Sequence, residues 1–262
     1  MDHKKLGYRV YRQVLNTQKL AEIKADAIYI FNKQIKHYNI KGGNFEQNLI
    51  TLFKTYPQVV QNCGKIIQNL PALHKFQFDE MIMNLVERDF NIKFPVLNTK
   101  PVLFFHNKNL AKKDAVWKTP VHRDFGSTQG SLSSTVAWFP LVKTKPVGSL
   151  KVLPGSHCTE TKTTSIVSNF AVEATQPGND FTALDMEPGD LVLFSTNLVH
   201  KSGTNTTEDQ IRWSVSYRYS DVECENWLGR DYYHPYTYSP NTSFNKYEPS
   251  PAEMEKIYGI SN

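Results

Sequence analysis

A mainly β fold with a helical flank is predicted by three features of the sequence. Over residues 1–99 apolar side chains recur at helical spacing and are interrupted by Gly and Pro. From residue 100 onward the period changes to short runs rich in Val, Phe, Trp and Tyr, each bounded by turn formers. Hydrophobic residues make up 40% of the 262 and aromatics 12%, enough for one large core and too many for a disordered chain. Short strands at this spacing indicate a sandwich or jelly roll. The expected architecture is a double-stranded β-helix (jelly roll, cupin-like) with N-terminal α-helices packed on one sheet. With no repeat and no low-complexity linker, residues 1–262 form a single domain: 1–99 a mainly helical flank, 100–220 the jelly-roll core, 221–262 a Tyr/Pro-rich wrap.

The elements follow in order. Tyr8–Leu15 suits an edge strand. Asn16 or Thr17 offers an N-cap for a long amphipathic helix with Leu20, Ile23, Ala27, Ile28, Ile30 and Phe31 at helical spacing. Gly42-Gly43 ends it. Further helices are expected at about 45–54, 57–69 and 72–89, divided by Pro57 and Pro71. Strands are then expected in PVLFFH, VWKTPVH, SSTVAWFPLV, GSLKVLP, a long GDLVLFSTNLVH and IRWSVSYRY, and loops around 107–117 and 157–180. The tail reads as irregular, with a short helix at 251–258.

Composition narrows the function classes. The net charge of +5 is uneven: residues 1–100 hold 15 Lys+Arg against 8 Asp+Glu, the remainder 15 against 17. The basic half either attracts an anionic substrate or consists of solvated helix faces. No basic cluster is interleaved with stacking aromatics, so nucleic-acid binding is not expected. No apolar stretch approaches the roughly 20 residues of a membrane span, and no signal peptide is seen. Cys63, Cys158 and Cys224 are scattered, which predicts reduced thiols and a cytoplasmic location. Six aromatics between Tyr232 and Tyr247 predict that the tail packs on the body, rims the active site or forms a homodimer contact.

Chemistry concentrates in VHRDF. On a strand, residues i and i+2 share a face, so His122 and Asp124 would offer a ring nitrogen and a carboxylate oxygen to one ion while Arg123 points away. By itself the pair is a weak signal. His200, at the end of GDLVLFSTNLVH, supplies a second imidazole, and two His with one carboxylate leave the open positions that suit non-haem Fe(II). Arg212, with Ser214 two residues on, provides a guanidinium and a hydroxyl on one strand face, suited to clamping a carboxylate. His106, Lys118, Thr135 and Gln129 are further polar candidates. Trp117 and Phe125 flank the metal motif. His157, in a Pro-Gly-Ser turn, reads as structural or surface, and Asp190 as a turn residue.

The order HRD, STVAWFPL, GSLKVLPGSH, PGDLVLFSTNLVH and RWSVSYRY over about residues 100–220 resembles the phytanoyl-CoA dioxygenase family of Fe(II)/2-oxoglutarate oxygenases. The resemblance implies Fe(II), 2-oxoglutarate and O2 as cofactors, with His122, Asp124 and His200 as iron ligands. It implies Arg212 as partner of the far carboxylate of 2-oxoglutarate, Trp138 as a pocket wall, and Ser214, Thr135 and Gln129 as further cosubstrate contacts. It further implies hydroxylation of an aliphatic C–H of a small-molecule metabolite, with 2-oxoglutarate converted to succinate and CO2. Related iron halogenases carry Gly or Ala where Asp124 stands, so the aspartate implies that no site is free for chloride. A jelly-roll binding module and a cupin-type metalloenzyme without 2-oxoglutarate are the rival readings.

Overall fold

Asn16 does cap the first long helix, Thr17–His37, its side chain accepting from the Lys19 amide at 3.1 Å. The computed structural model describes residues 3–110, 119–160, 163–168, 171–174, 178–233 and 249–259. Four further helices complete the flank: Phe45–Thr55, Pro57–Ile66, Pro71–Phe76 and Glu80–Phe90. Pro57 and Pro71 each open a helix at its first turn. The single helix expected over 72–89 is two, because Asp79 accepts from the Met81 amide and starts a new N-terminus. A short helix at His3–Leu6 was not legible in the sequence.

The strands are β1 (Tyr8–Tyr11), β2 (Pro95–Leu97), β3 (Val102–His106), β4 (His122–Arg123), β5 (Thr135–Pro140) and β6 (Leu150–Val152). They continue with β7 (Thr163–Ser168), β8 (Ala171–Ala174), β9 (Thr182–Leu184), β10 (Leu191–Ser195), β11 (His200–Ser202) and β12 (Arg212–Asp221). Two antiparallel sheets result. One runs β1-β10-β5-β12-β2, with β3 also paired to β12; the other runs β7-β8-β4-β11-β6-β9. Sheets of antiparallel strands with helices on one of them are the double-stranded β-helix that the strand spacing predicts. β1 is an edge strand, as expected.

Two expectations need correction. GDLVLFSTNLVH is not one strand. It breaks after Ser195, and the chain crosses from the first sheet to the second, where β11 starts at His200. Leu198 is hydrogen-bonded back to Ser195 in the turn between them. The loop expected over 157–180 contains β7 and β8; their sequences, TTSIVS and AVEA, lack an aromatic-rich apolar run.

The alternation of β12 organises the core. Trp213, Val215, Tyr217 and Tyr219 join the apolar cluster formed with the helices through Phe31, Leu49, Phe76 and Ile82. Tyr217 and Tyr219 donate to the carbonyls of Leu73 and Gln77 in the flank, which satisfies their buried hydroxyls. Arg212, Ser214, Ser216, Arg218 and Ser220 occupy the opposite face, between the sheets. A second apolar cluster, with Val136, Trp138, Val152 and Phe194, fills part of that space. The C-terminal helix Pro251–Tyr258 forms where expected, and Met254 and Tyr258 pack with Trp227 on Phe125. The aromatics of 234–247 lie outside the described residues. Among the described residues no helix is long and apolar enough to cross a membrane.

Candidate active site

His122 and His200 are direct partners across the β4–β11 pairing, with ring centroids 4.1 Å apart. Asp124 reaches the same point, and one ligand atom from each of the three lies within 4.8 Å of the others. All three are buried. The geometry differs from that inferred for a strand. β4 ends at Arg123, and Asp124 is a helical residue (φ −70°, ψ −32°) opening the one-turn helix Phe125–Thr128. A turn, not a shared strand face, brings its carboxylate beside His122. Arg123, between the two, is buried as well.

Backbone carbonyls set the orientation of both rings. Nδ1 of His122 lies 2.8 Å from the Pro120 carbonyl and Nδ1 of His200 2.9 Å from the Leu198 carbonyl. A carbonyl only accepts, so each Nδ1 carries the proton and each Nε2 keeps its lone pair. Burial pushes the His200 pKa down to about 3, with the neighbouring His122 adding to the effect, so its ring is neutral. Burial opposes ionisation of Asp124, but the charge of the Arg218 guanidinium at 2.9 Å outweighs it and holds the carboxyl far below the usual range. Two imidazole nitrogens and one carboxylate are the donor set a divalent cation requires. Phe194 packs on the His200 ring at 4.8 Å.

Arg212 lies on the same interior face. Its guanidinium donates to His106 Nδ1 at 2.7 Å, Ser202 Oγ at 2.9 Å and the Gly148 carbonyl at 3.3 Å. Ser202 is two residues beyond His200 on β11, about 6.5 Å along the strand, so Arg212 stands next to the triad along the sheet. Every one of these partners is neutral. No carboxylate among the described residues pairs with Arg212, although it is buried, and burial lowers its pKa only to about 10. It is therefore a buried cation with no counter-anion, an arrangement proteins normally avoid. Its Nε and the Ser214 hydroxyl, one pleat further on, are both buried with no partner among the described residues. Gly148 permits this cradle: its φ is +102° and a Cβ would lie 2.8 Å from the Gly203 carbonyl oxygen.

The remaining candidates divide. His106 faces the interior opposite Arg212; burial and the guanidinium lower its pKa well below the usual imidazole value, so Nδ1 accepts from Arg212 and Nε2 carries the proton. Trp138 pairs with Ser216 on the interior face and forms part of the apolar wall. Thr135 is not brought to the site. It stands opposite Tyr219 on the helix-facing side, its hydroxyl donating to the Phe194 carbonyl. Gln129 turns its amide toward the carbonyls of Phe125 and Gly126 at the end of its own short helix. Phe125 is core. His157 is buried on the Lys4 carbonyl and the Tyr258 ring, away from the triad, and Asp190 accepts from Arg12 and from the Gln13 and Glu187 amides in a turn. Trp117 and Lys118 lie outside the described residues. Sequence reasoning gave Arg218 no contact with Asp124, and Ser202 and Gly148 no role. The polar period-two stripe of RWSVSYRYS was the available signal for Arg218.

A double-stranded β-helix that gathers two histidines and an aspartate between its sheets, beside a buried arginine, defines the class of non-haem iron, 2-oxoglutarate-dependent oxygenases. The chain belongs to the phytanoyl-CoA dioxygenase family, whose model matches residues 4–214. No curated protein matches the sequence. Among solved structures the fold is similar to the epimerase SnoN in complex with Fe3+, alpha ketoglutarate and nogalamycin RO, with a TM-score of 0.59 and 20% identity over 95% of this chain and 91% of that one. The carbocyclase SnoK from nogalamycin biosynthesis gives 0.52 and 16% over 93% and 91%. EctD from S. alaskensis with 2-oxoglutarate and 5-hydroxyectoine gives 0.51 and 16% over 85% and 75%.

Proposed function

We propose that the protein is an Fe(II)- and 2-oxoglutarate-dependent dioxygenase that hydroxylates an aliphatic C–H of a small-molecule metabolite. The carrying observation is the convergence of His122 Nε2, Asp124 Oδ1 and His200 Nε2, with both Nδ1 protons committed to carbonyls. These three atoms would hold the metal. The unpartnered Arg212 Nε and Ser214 hydroxyl would take the far carboxylate of 2-oxoglutarate, which supplies the anion that the buried guanidinium lacks. His106 and Ser202 keep the guanidinium aimed by accepting from it. Phe194 and Trp138 form an apolar wall that excludes water. Iron and 2-oxoglutarate, when bound, supply the oxidising power: one atom of O2 enters succinate, with release of CO2, and the other enters the substrate.

Two measurements test this reading. Anaerobic addition of Fe(II) and 2-oxoglutarate should produce a visible charge-transfer band that His200→Ala lacks. Aerobic incubation with metabolite pools should produce succinate together with one product that has gained an oxygen atom. A product of unchanged mass would point to epimerisation, and one lacking two hydrogens to ring closure or desaturation. No band and no succinate above the metal-free control would reject the reading.

A further inference from the structure

The two oxygens of Asp124 have different neighbours. Oδ1 lies 3.3 Å from Nε2 of His122, one of the three residues whose ligand atoms come within 4.8 Å of one another. Oδ2 accepts from Arg218 Nε at 2.9 Å. Arg218 is itself fixed: its Nη1 donates to Ser216 Oγ at 3.1 Å, and its backbone is paired with Val136 in the middle of the first sheet. Asp124 is anchored only locally, its carbonyl accepting from the Ser127 and Thr128 amides of the following turn. It sits in a turn between a two-residue strand and a one-turn helix, and its side chain caps no helix amide. The arginine, rooted in a ten-residue strand, therefore sets where the carboxylate stands.

We propose that Arg218 is a positioning residue for the metal, confining Asp124 to ligation through Oδ1 alone. The inference rests on the reading of His122, Asp124 and His200 as ligands. With Oδ2 engaged, the carboxylate occupies one coordination position instead of two, and three stay open for cosubstrate and dioxygen. The guanidinium also offsets the charge of Asp124, so a bound divalent ion presents nearly its whole charge to an anionic cosubstrate. Outer partners of this kind orient a ligand without touching the metal.

The test uses Co(II) binding to the metal-free full-length protein, read by the d–d absorption band and by competition with a coloured chelator. Arg218→Met removes the donor and should weaken Co(II) binding roughly 10- to 100-fold, the usual effect of losing an outer partner, and shift the band. Arg218→Lys keeps a cation without the planar fork and should recover part of the affinity with an intermediate band. Thermal midpoints of the metal-free variants are recorded in parallel; should Arg218→Met not fold, Arg218→Lys decides. A folded variant with wild-type Co(II) affinity and an unshifted band would overturn the proposal. So would an Arg218→Met protein that binds Co(II) normally and loses only 2-oxoglutarate, which would make Arg218 a second cosubstrate clamp. His200→Ala separates the two levels: wild-type Co(II) affinity there removes the ligand assignment itself, whereas loss there with none at Arg218 removes the positioning role alone.

Discussion

Arg212 and Arg218 stand on the same face of one strand, and their surroundings are opposite. Arg218 meets a carboxylate at 2.9 Å. Arg212, more deeply buried, meets an imidazole, a hydroxyl and a carbonyl, all neutral. A buried cation that carries its own anion is complete, and it can orient that anion. A buried cation given only neutral acceptors is held open for an anion that arrives. Two identical side chains, six residues apart, thus stand in opposite electrostatic settings, one already paired with a carboxylate and one with neutral acceptors alone.

The largest effect should come from taking the anion away from Arg218. Asp124→Gly leaves that guanidinium uncompensated and removes a metal ligand. Turnover should vanish, and the metal-free protein should lose about 3–5 kcal/mol, the usual cost of stripping one partner from a buried pair. Denaturant unfolding together with a succinate assay measures both. Full hydroxylase activity would show that the carboxylate is no ligand.

Next is Arg212→Ala, which should leave metal binding intact and weaken 2-oxoglutarate binding by about 2–5 kcal/mol, or roughly 30- to 3,000-fold. Anaerobic titration reads the effect, and pyruvate, which lacks the far carboxylate, should be discriminated against much less by the variant than by the wild type. Arg212→Lys should fall between.

A change of pH probes a buried histidine away from both arginines. Burial holds the His157 pKa down to about 4 in the folded protein, against about 6.5 unfolded. Between those values the unfolded chain binds more protons, so stability is full above pH 6.5 and falls as pH drops toward 4. From pH 7 to pH 5 this histidine alone should cost about 2 kcal/mol. His157→Gln should flatten that part of the unfolding profile and leave metal and 2-oxoglutarate affinity alone. An unchanged profile would show that burial does not hold the ring neutral.

The smallest effect belongs to His106→Phe. Arg212 loses one neutral acceptor of three, a net of about 1 kcal/mol, and 2-oxoglutarate affinity should fall several-fold with metal affinity constant. A loss as large as that of Arg212→Ala would mean that the imidazole holds the cosubstrate directly.

Much of this was legible in the sequence, for physical reasons that differ by element. The helices showed through Asn16, Pro57 and Pro71, local signals that tertiary packing reinforced. The triad showed through spacing, although for a reason the structure replaces: His122 and Asp124 meet through a turn, and His200 starts a strand in the second sheet instead of ending one in the first. Arg212 and Ser214 were readable as neighbours on a face. The Asp124–Arg218 contact was not, since a pairing across 94 positions depends on how the sheets stack. Thr135 looked like a pocket residue because polarity alone cannot say which face of a strand is the interior. The strands β7 and β8, TTSIVS and AVEA, escaped notice because neither carries an apolar run with Phe, Trp or Tyr.

The strict alternation of β12 also acts as a guard on folding register. A slip of one residue would turn Trp213, Tyr217 and Tyr219 toward the metal and drive two guanidiniums into the packing around Phe31 and Phe76. Both errors are severe, and they occur together, so no nearby misalignment is tolerable. The helical flank, remote from any chemistry, thereby proofreads the active site: only the pairing that seats the aromatics under the helices also delivers Arg212 and Arg218 to their places.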